Sequence, residues 1–267
     1  MSHHIRRPLL MLGLAFLAVA GLPGPAAADQ WGSYHWARPT NPFTIALGDN
    51  VASRWDAHLR SASSEWSVST VVDTQVEAGA TRRRICDPTA GRVEVCNATY
   101  GDTGWLGLTT IWAYGDQIAQ VTIKINDTYF QTPKYDTKAW RNYVMCHEVG
   151  HALGLDHQDE DFHNETLGTC LDLTDHPRSN QRPNRIDYRD LERIYAEADG
   201  TTDVSHLPSA PSADRASAPH GWGASASESW GDLVSGSVHG GERTFVNDLG
   251  NGRRIITMVL SSEGSEG

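Results

Sequence analysis

Residues 147–157 read H-E-V-G-H-A-L-G-L-D-H, and this run restricts the chain more than any other. On a helix, residues four apart share a face, so His147 and His151 project side by side and can reach one metal ion. Glu148 stands one step round the helix. It borders such an ion without being forced into contact with it, which is where a general base belongs. Gly154 tolerates the left-handed conformation that lets the chain turn sharply, and three residues later His157 can return to the same ion. Three neutral imidazoles with one open position make a catalytic zinc site, whereas a structural zinc is more often closed by four protein ligands. A His-Glu-x-x-His alone recurs by chance. The added Gly154 and His157 make a zinc site the reading of choice.

The flanking sequence supports a helix there. Lys138–Leu153 has helical spacing, Asp136 or Thr137 can cap it, and Gly154 is a natural stop. Upstream, Phe43–Leu47 is a short β-like run and Val51–Ser63 is helical through Val51, Trp55 and Leu59. Ser67–Val76 alternates, Thr81–Tyr100 reads as a polar looped excursion, and Trp105–Trp112 and Ile118–Asn126 are further strands. Downstream, 158–186 reads as loop. Asp187–Ala198 reads as a second helix with Asp187 as its N-cap. The expected class is α+β, a mixed twisted sheet with an active-site helix and a C-terminal helix.

Residues 1–28 read as an export signal: Arg6-Arg7, the apolar stretch Leu9–Leu22, then Ala26-Ala27-Ala28 as a cleavage site. The chain would start near Asp29 and be secreted. Residues 29–199 form the catalytic domain and 200–230 a Ser/Ala/Pro/Gly-rich linker. Residues 231–267 are a tail with a hairpin around Gly250-Asn251-Gly252, which must dock on something or stay loose. As the tail reads, truncation after Gly200 would leave an active domain. The formal charge of −11 argues against nucleic acid as a partner. No second apolar run is long enough to span a bilayer. The four cysteines would meet an oxidising medium, where three pairings are open to them.

The extended motif H-E-x-x-H-x-x-G-x-x-H resembles that of the metzincin clan of zinc metalloendopeptidases, and the order of elements before it over roughly 40–199 is similar too. The resemblance implies that His147, His151 and His157 hold Zn2+ and that Glu148 is the catalytic base for a zinc-activated water. Protein or peptide would be the substrate, lying extended along an edge strand. Trp105–Trp112 is the candidate, with an ordinary core strand the equal alternative. The methionine turn of that clan is matched by Gly168–Asp172, with Leu171 where methionine is expected. Leucine supplies a floor of similar volume. Leu173 replaces the zinc-touching tyrosine of some branches, which places the chain nearer the matrixin-like branch. A Cys146–Cys170 bridge would tie the helix to this turn and leave Cys86–Cys96 as a loop staple. The other pairings stay open.

Asp156, Asp159, Glu160 and Asp161 around His157 could bind Ca2+, orient that imidazole, or simply face solvent. Asn97, Asn126 and Asn164 head glycosylation triplets. A monomer is expected. Two rival functions remain: a secreted zinc-containing binding module without catalysis, and a zinc amidase acting on cell-wall peptide.

Overall fold

The computed structural model describes Met1 and residues 32–38, 40–196, 230–236 and 241–262. The export signal, and the linker apart from Trp230, lie outside the described residues. Nine strands form one mixed sheet among them. They are β1 (His35–Trp36), β2 (Phe43–Asn50), β3 (Val72–Ala78), β4 (Val93–Ala98), β5 (Trp105–Tyr114), β6 (Gln117–Asn126), β7 (Asp232–Gly236), β8 (Glu242–Gly250) and β9 (Arg253–Ser261). Three α-helices complete the fold: α1 (Ser53–Trp66), α2 (Lys138–Ala152) and α3 (Arg185–Ile194). The class is α+β, as expected.

The strand order is β3-β2-β4-β6-β5-β9-β8-β7, with β1 beside β6. Strands β1, β2, β3, β4 and β6 pair in parallel, and β5 runs antiparallel to β6. Alternation explains the outer part: β2 buries Phe43, Ile45 and Leu47 and exposes Thr44 between them. The central parallel strands are buried on both faces and lose that alternation. That is why β4 was not legible in the Thr81–Tyr100 stretch. Its polar letters are internal, since Glu94 pairs with Arg92 at 3.2 Å and Asn97 bonds to Asp127. The strand expected from Ser67 begins only at Val72, because the Ser67 and Ser69 hydroxyls close a turn onto Thr74, Val71 and Val72.

Helix α1 buries Trp55, Leu59, Ala62 and Trp66, and the Trp66 indole donates to the Cys146 carbonyl of α2 at 3.0 Å. Both helices share one core with Trp36, Tyr143 and Tyr195. Helix α2 starts where Thr137 accepts from the Trp140 amide. Helix α3 starts at Arg185, two residues earlier than expected, and ends at Ile194, short of the expected Ala198. Asn184 is its N-cap and Asp187 the reciprocal partner of a capping box. No helix among the described residues is long and apolar enough to cross a membrane.

The tail joins this sheet. Strand β9 pairs antiparallel with β5 along its whole length, β8 pairs with β9, and β7 with β8. Ile256, Met258 and Leu260 face the main core. Val259 and Phe245 pack with Trp105, Leu108 and Trp230 in a second cluster. The boundary drawn at residue 199 therefore marks no break in the sheet. A hairpin that carries a buried apolar stripe docks because each such side chain gains about 1.5–3 kcal/mol by leaving water.

Candidate metal centre and active site

Helix α2 ends at Ala152, and Gly154 takes a left-handed φ of 91°. A side chain there would strike the Tyr34 carbonyl, so only glycine fits. The reversal returns His157 to the helix. The Nε2 atoms of His147 and His151 lie 3.0 Å apart, and the three ring centroids are separated by 4.5, 5.1 and 4.8 Å. His147, His151 and His157 are buried.

Each imidazole is turned by its outer nitrogen. His147 Nδ1–H donates to the Cys170 carbonyl at 2.8 Å, and His151 Nδ1–H to the Leu155 carbonyl at 2.9 Å. That fixes the tautomer and points each Nε2 lone pair inward. His157 Nδ1 faces the acids Asp156, at 3.5 Å, and Glu160, at 3.7 Å.

A fourth side chain enters from the tail. Glu242, the first residue of β8, is buried with its Oε2 at 2.7 Å from His147 Nε2 and 2.8 Å from His157 Nε2. Its Oε1 lies 3.3 Å from His151 Nε2. The motif gave no hint of it. Glu242 stands 85 residues beyond His157, alone at a strand start, and no local spacing connects the two.

These four groups fit a zinc ion by their donor chemistry. The His147 and His151 lone pairs and the Glu242 carboxylate converge with no hydrogen between the two lone pairs, an arrangement that a central cation would suit. Around tetrahedral zinc, with bonds of about 2.0–2.1 Å, neighbouring ligand atoms are about 3.3 Å apart, and the donor atoms here lie 2.7, 2.8, 3.0 and 3.3 Å from one another. Burial, and then the neighbouring His151, push the His147 imidazole down to about 4, so it is a neutral ligand at neutral pH. Burial alone would raise the Glu242 carboxyl. His157, His151 and His147 together hold it well below the usual range.

Glu148 lies beside this cluster, not in it. It is buried, and its Oε2 accepts from the Thr109 hydroxyl of β5 at 2.5 Å, while Oε1 has no protein partner. Burial, then the charge of Glu242, raise its carboxyl well above the usual range. One oxygen of this carboxyl is thus anchored by Thr109, while the other is buried beside Gly107 without a hydrogen-bond partner.

The turn 168–171 lies against the histidine cluster through the Cys170 carbonyl. Cys146 is bridged to Cys170, and Cys86 to Cys96. The first bridge fixes the carbonyl that holds His147. Leu171 is buried, and its carbonyl accepts from the Gln158 amide in the loop after His157. Asp187, also buried, accepts from Thr169, from the Asn184 amide and from Gln158, each at 2.6 Å. Helix α3 is thereby tied to the turn 168–171 and to the loop after His157.

The acidic loop is engaged locally. Asp159 accepts from the Asp161 amide and from Asn164, and Asp161 from the His163 amide. Among the described residues, the further metal-sized group is Asp156–His157–Glu160, which shares His157 with the main cluster. A separate calcium site has no further support. Asn97 and Asn126 are buried and hydrogen-bonded inside the protein, which leaves Asn164 as the exposed glycosylation triplet.

No family model matches the chain. Among solved structures, the crystal structure of myroilysin is similar over 68% of this chain and 100% of its own, at 10% identity and a TM-score of 0.35. High choriolytic enzyme 1, a hatching-enzyme zinc-protease from Oryzias latipes (medaka), is similar over 59% of this chain and 70% of its own, at 14% identity and a TM-score of 0.28. Likeness at these scores does not by itself assign an activity.

Proposed function

We propose that this chain is an exported zinc endopeptidase of the metzincin type, whose metal is held by His147, His151 and His157. The observation that carries the reading is the convergence of three histidine Nε2 atoms beside a buried carboxyl, Glu148, one of whose oxygens has no hydrogen-bond partner in the protein. Zinc, when bound, would polarise a peptide carbonyl and acidify water. The chain's own residues do the rest. Glu148 Oε1 accepts the proton of the attacking water and later returns it to the leaving amine. Thr109 holds Oε2 so that the carboxylate keeps its aim. The carbonyls of Cys170 and Leu155 hold two of the imidazoles in the ligating tautomer. Strand β5, which runs past Glu148 at Thr109, is where an extended peptide would pair once β9, which fills that edge here, is displaced. Export and the two disulfides belong together, because such bridges persist in an oxidising medium.

A second reading draws on Glu242. Four protein donors close a zinc site in the manner of structural sites, which would make the chain a zinc-containing binding module. One experiment separates them. The full chain carrying Glu242→Ala and Ile256→Asp lacks the fourth donor and places a charge in the core seat of β9. Loaded with zinc, it is incubated with a random peptide library and cuts are mapped by mass spectrometry. Cleavage that disappears with chelator, and with Glu148→Ala added, supports the endopeptidase. A zinc-loaded, helical variant that makes no cut refutes it.

A further inference from the structure

Glu242 sits where a reacting water and substrate carbonyl would have to sit. Its Oε2 touches His147 and His157 Nε2 at 2.7 and 2.8 Å, and Oε1 lies 3.3 Å from His151. The same segment occupies the neighbouring substrate position. Strand β5 would be a sheet edge if the chain ended before β7, and β9 fills that edge in antiparallel register, Gly107 opposite Leu260 and Thr109 opposite Met258. Leu260 in turn pairs with Glu242, so one ladder joins β5, the occupying strand and the carboxylate at the metal cluster.

We propose that residues 241–262 are a built-in inhibitor: Glu242 closes the metal site as a fourth ligand while β9 occupies the substrate strand. The intact chain is then a latent form, and activity requires the segment to leave. This rests on the endopeptidase reading for its purpose, but the closure of the metal site stands on geometry alone.

Three details show how the segment is seated. Gly241 passes so close to the Phe162 ring, in the loop after His157, that any side chain there would overlap it. The Gly241 carbonyl accepts from the Ser261 amide at 2.8 Å, and the Gly104 carbonyl from the Ser262 amide at 2.9 Å. The first bond ties the residue before Glu242 to β9, and the second ties the end of β9 to the residue before β5. A carboxylate so placed competes from within the molecule, and such tethering can multiply effective affinity without adding a contact. Nothing in the catalytic reading uses Glu242. A buried carboxylate left without a metal or proton partner would be costly, so its presence requires the cluster it caps.

The test uses the full chain loaded with cobalt(II) or zinc, and acetohydroxamate as a small chelating probe that needs an open metal position. Wild type is compared with Glu242→Gln, which keeps the side-chain volume, and with Glu242→Ala. Both variants should bind acetohydroxamate more tightly than wild type, on the order of 10²-fold, because the competitor is gone. The visible absorption of their cobalt forms should differ from wild type before the probe is added and change on titration with it. Equal affinity for the probe in all three proteins, with superimposable cobalt spectra, would overturn the proposal. Peptide cleavage should appear only when Ile256→Asp is added to Glu242→Ala and hydrogen exchange shows the β5 amides released. Cleavage by wild type at the rate of that double variant would also overturn it. Tight probe binding with no cleavage from the released form would instead refute the endopeptidase and leave the closed metal site standing.

Discussion

At the residue scale, the proposed chemistry depends on how Glu148 is held. Thr109→Val keeps the shape of β5 but removes the hydroxyl that anchors Oε2, leaving a buried carboxylate with one partner fewer. The expected cost is about 1–3 kcal/mol of stability, read by denaturant unfolding. In the released form of the chain, kcat should fall while KM stays near its starting value, because the base loses its aim and substrate binding does not involve it. Leu171→Met tests the turn 168–171 differently. Leu171 is fully packed, and a swap of similar volume should cost less than about 1.5 kcal/mol and leave zinc affinity unchanged. A large loss of zinc affinity in that variant would mean that the turn is shaped by more than volume.

At the element scale, helix α2 is positioned by pieces distant in sequence. The Cys146–Cys170 bridge spans a sequence separation of 24, and its removal by the paired substitutions Cys146→Ser and Cys170→Ser should cost about 3 kcal/mol. It should also weaken zinc binding by about 10–100-fold, since the residue-170 carbonyl that orients His147 would lose its tether. Competition with a chromophoric chelator measures this. Asp187→Asn probes the other side. The charge on Asp187 collects three donors from the turn, from its own helix N-terminus and from Gln158. An amide nitrogen in place of one oxygen faces donors with a donor, so unfolding should shift by about 1–3 kcal/mol. An unshifted denaturation midpoint would show that α3 does not brace the turn 168–171.

At the scale of the whole molecule, the metal cluster joins α2 to β8, two parts of the chain otherwise connected through the sheet. A ligand that binds only the folded state stabilises it, by about 2.7 kcal/mol at about a hundredfold excess over Kd. Zinc should therefore raise Tm, and its removal should loosen the last strands before the first ones. Hydrogen exchange should quicken in β8 and β9 on chelation while the β2–β4 amides, at the far side of the sheet, stay protected. Uniform acceleration across the sheet would show that Glu242 does not couple the tail to the metal.

The residues at 147–157 announce their chemistry locally. Helical spacing alone aligns His147 with His151 and offsets Glu148, and a single glycine at 154 turns His157 back, so no distant contact is needed to see the constellation. The ends of α2 were readable for the same reason, since a cap and a stop act within one turn. What the tertiary structure decided has long reach or hidden polarity. Strand β4 looked like loop because Glu94 and Asn97 find their polar partners inside the protein, which no alternation reveals. Asp187 read as a simple cap, but its carboxylate is spent on Thr169 and Gln158, which only folding brings near. The hairpin of β8 and β9 was visible from its Gly-Asn-Gly turn, yet its apolar stripe says only that it must dock, not where. Pairing β9 with β5 sets Glu242 against three histidines. The sequence by itself determined a set of ligands, because helical geometry is local. Whether that set stands open or closed was decided by strand register, which couples residues at any separation.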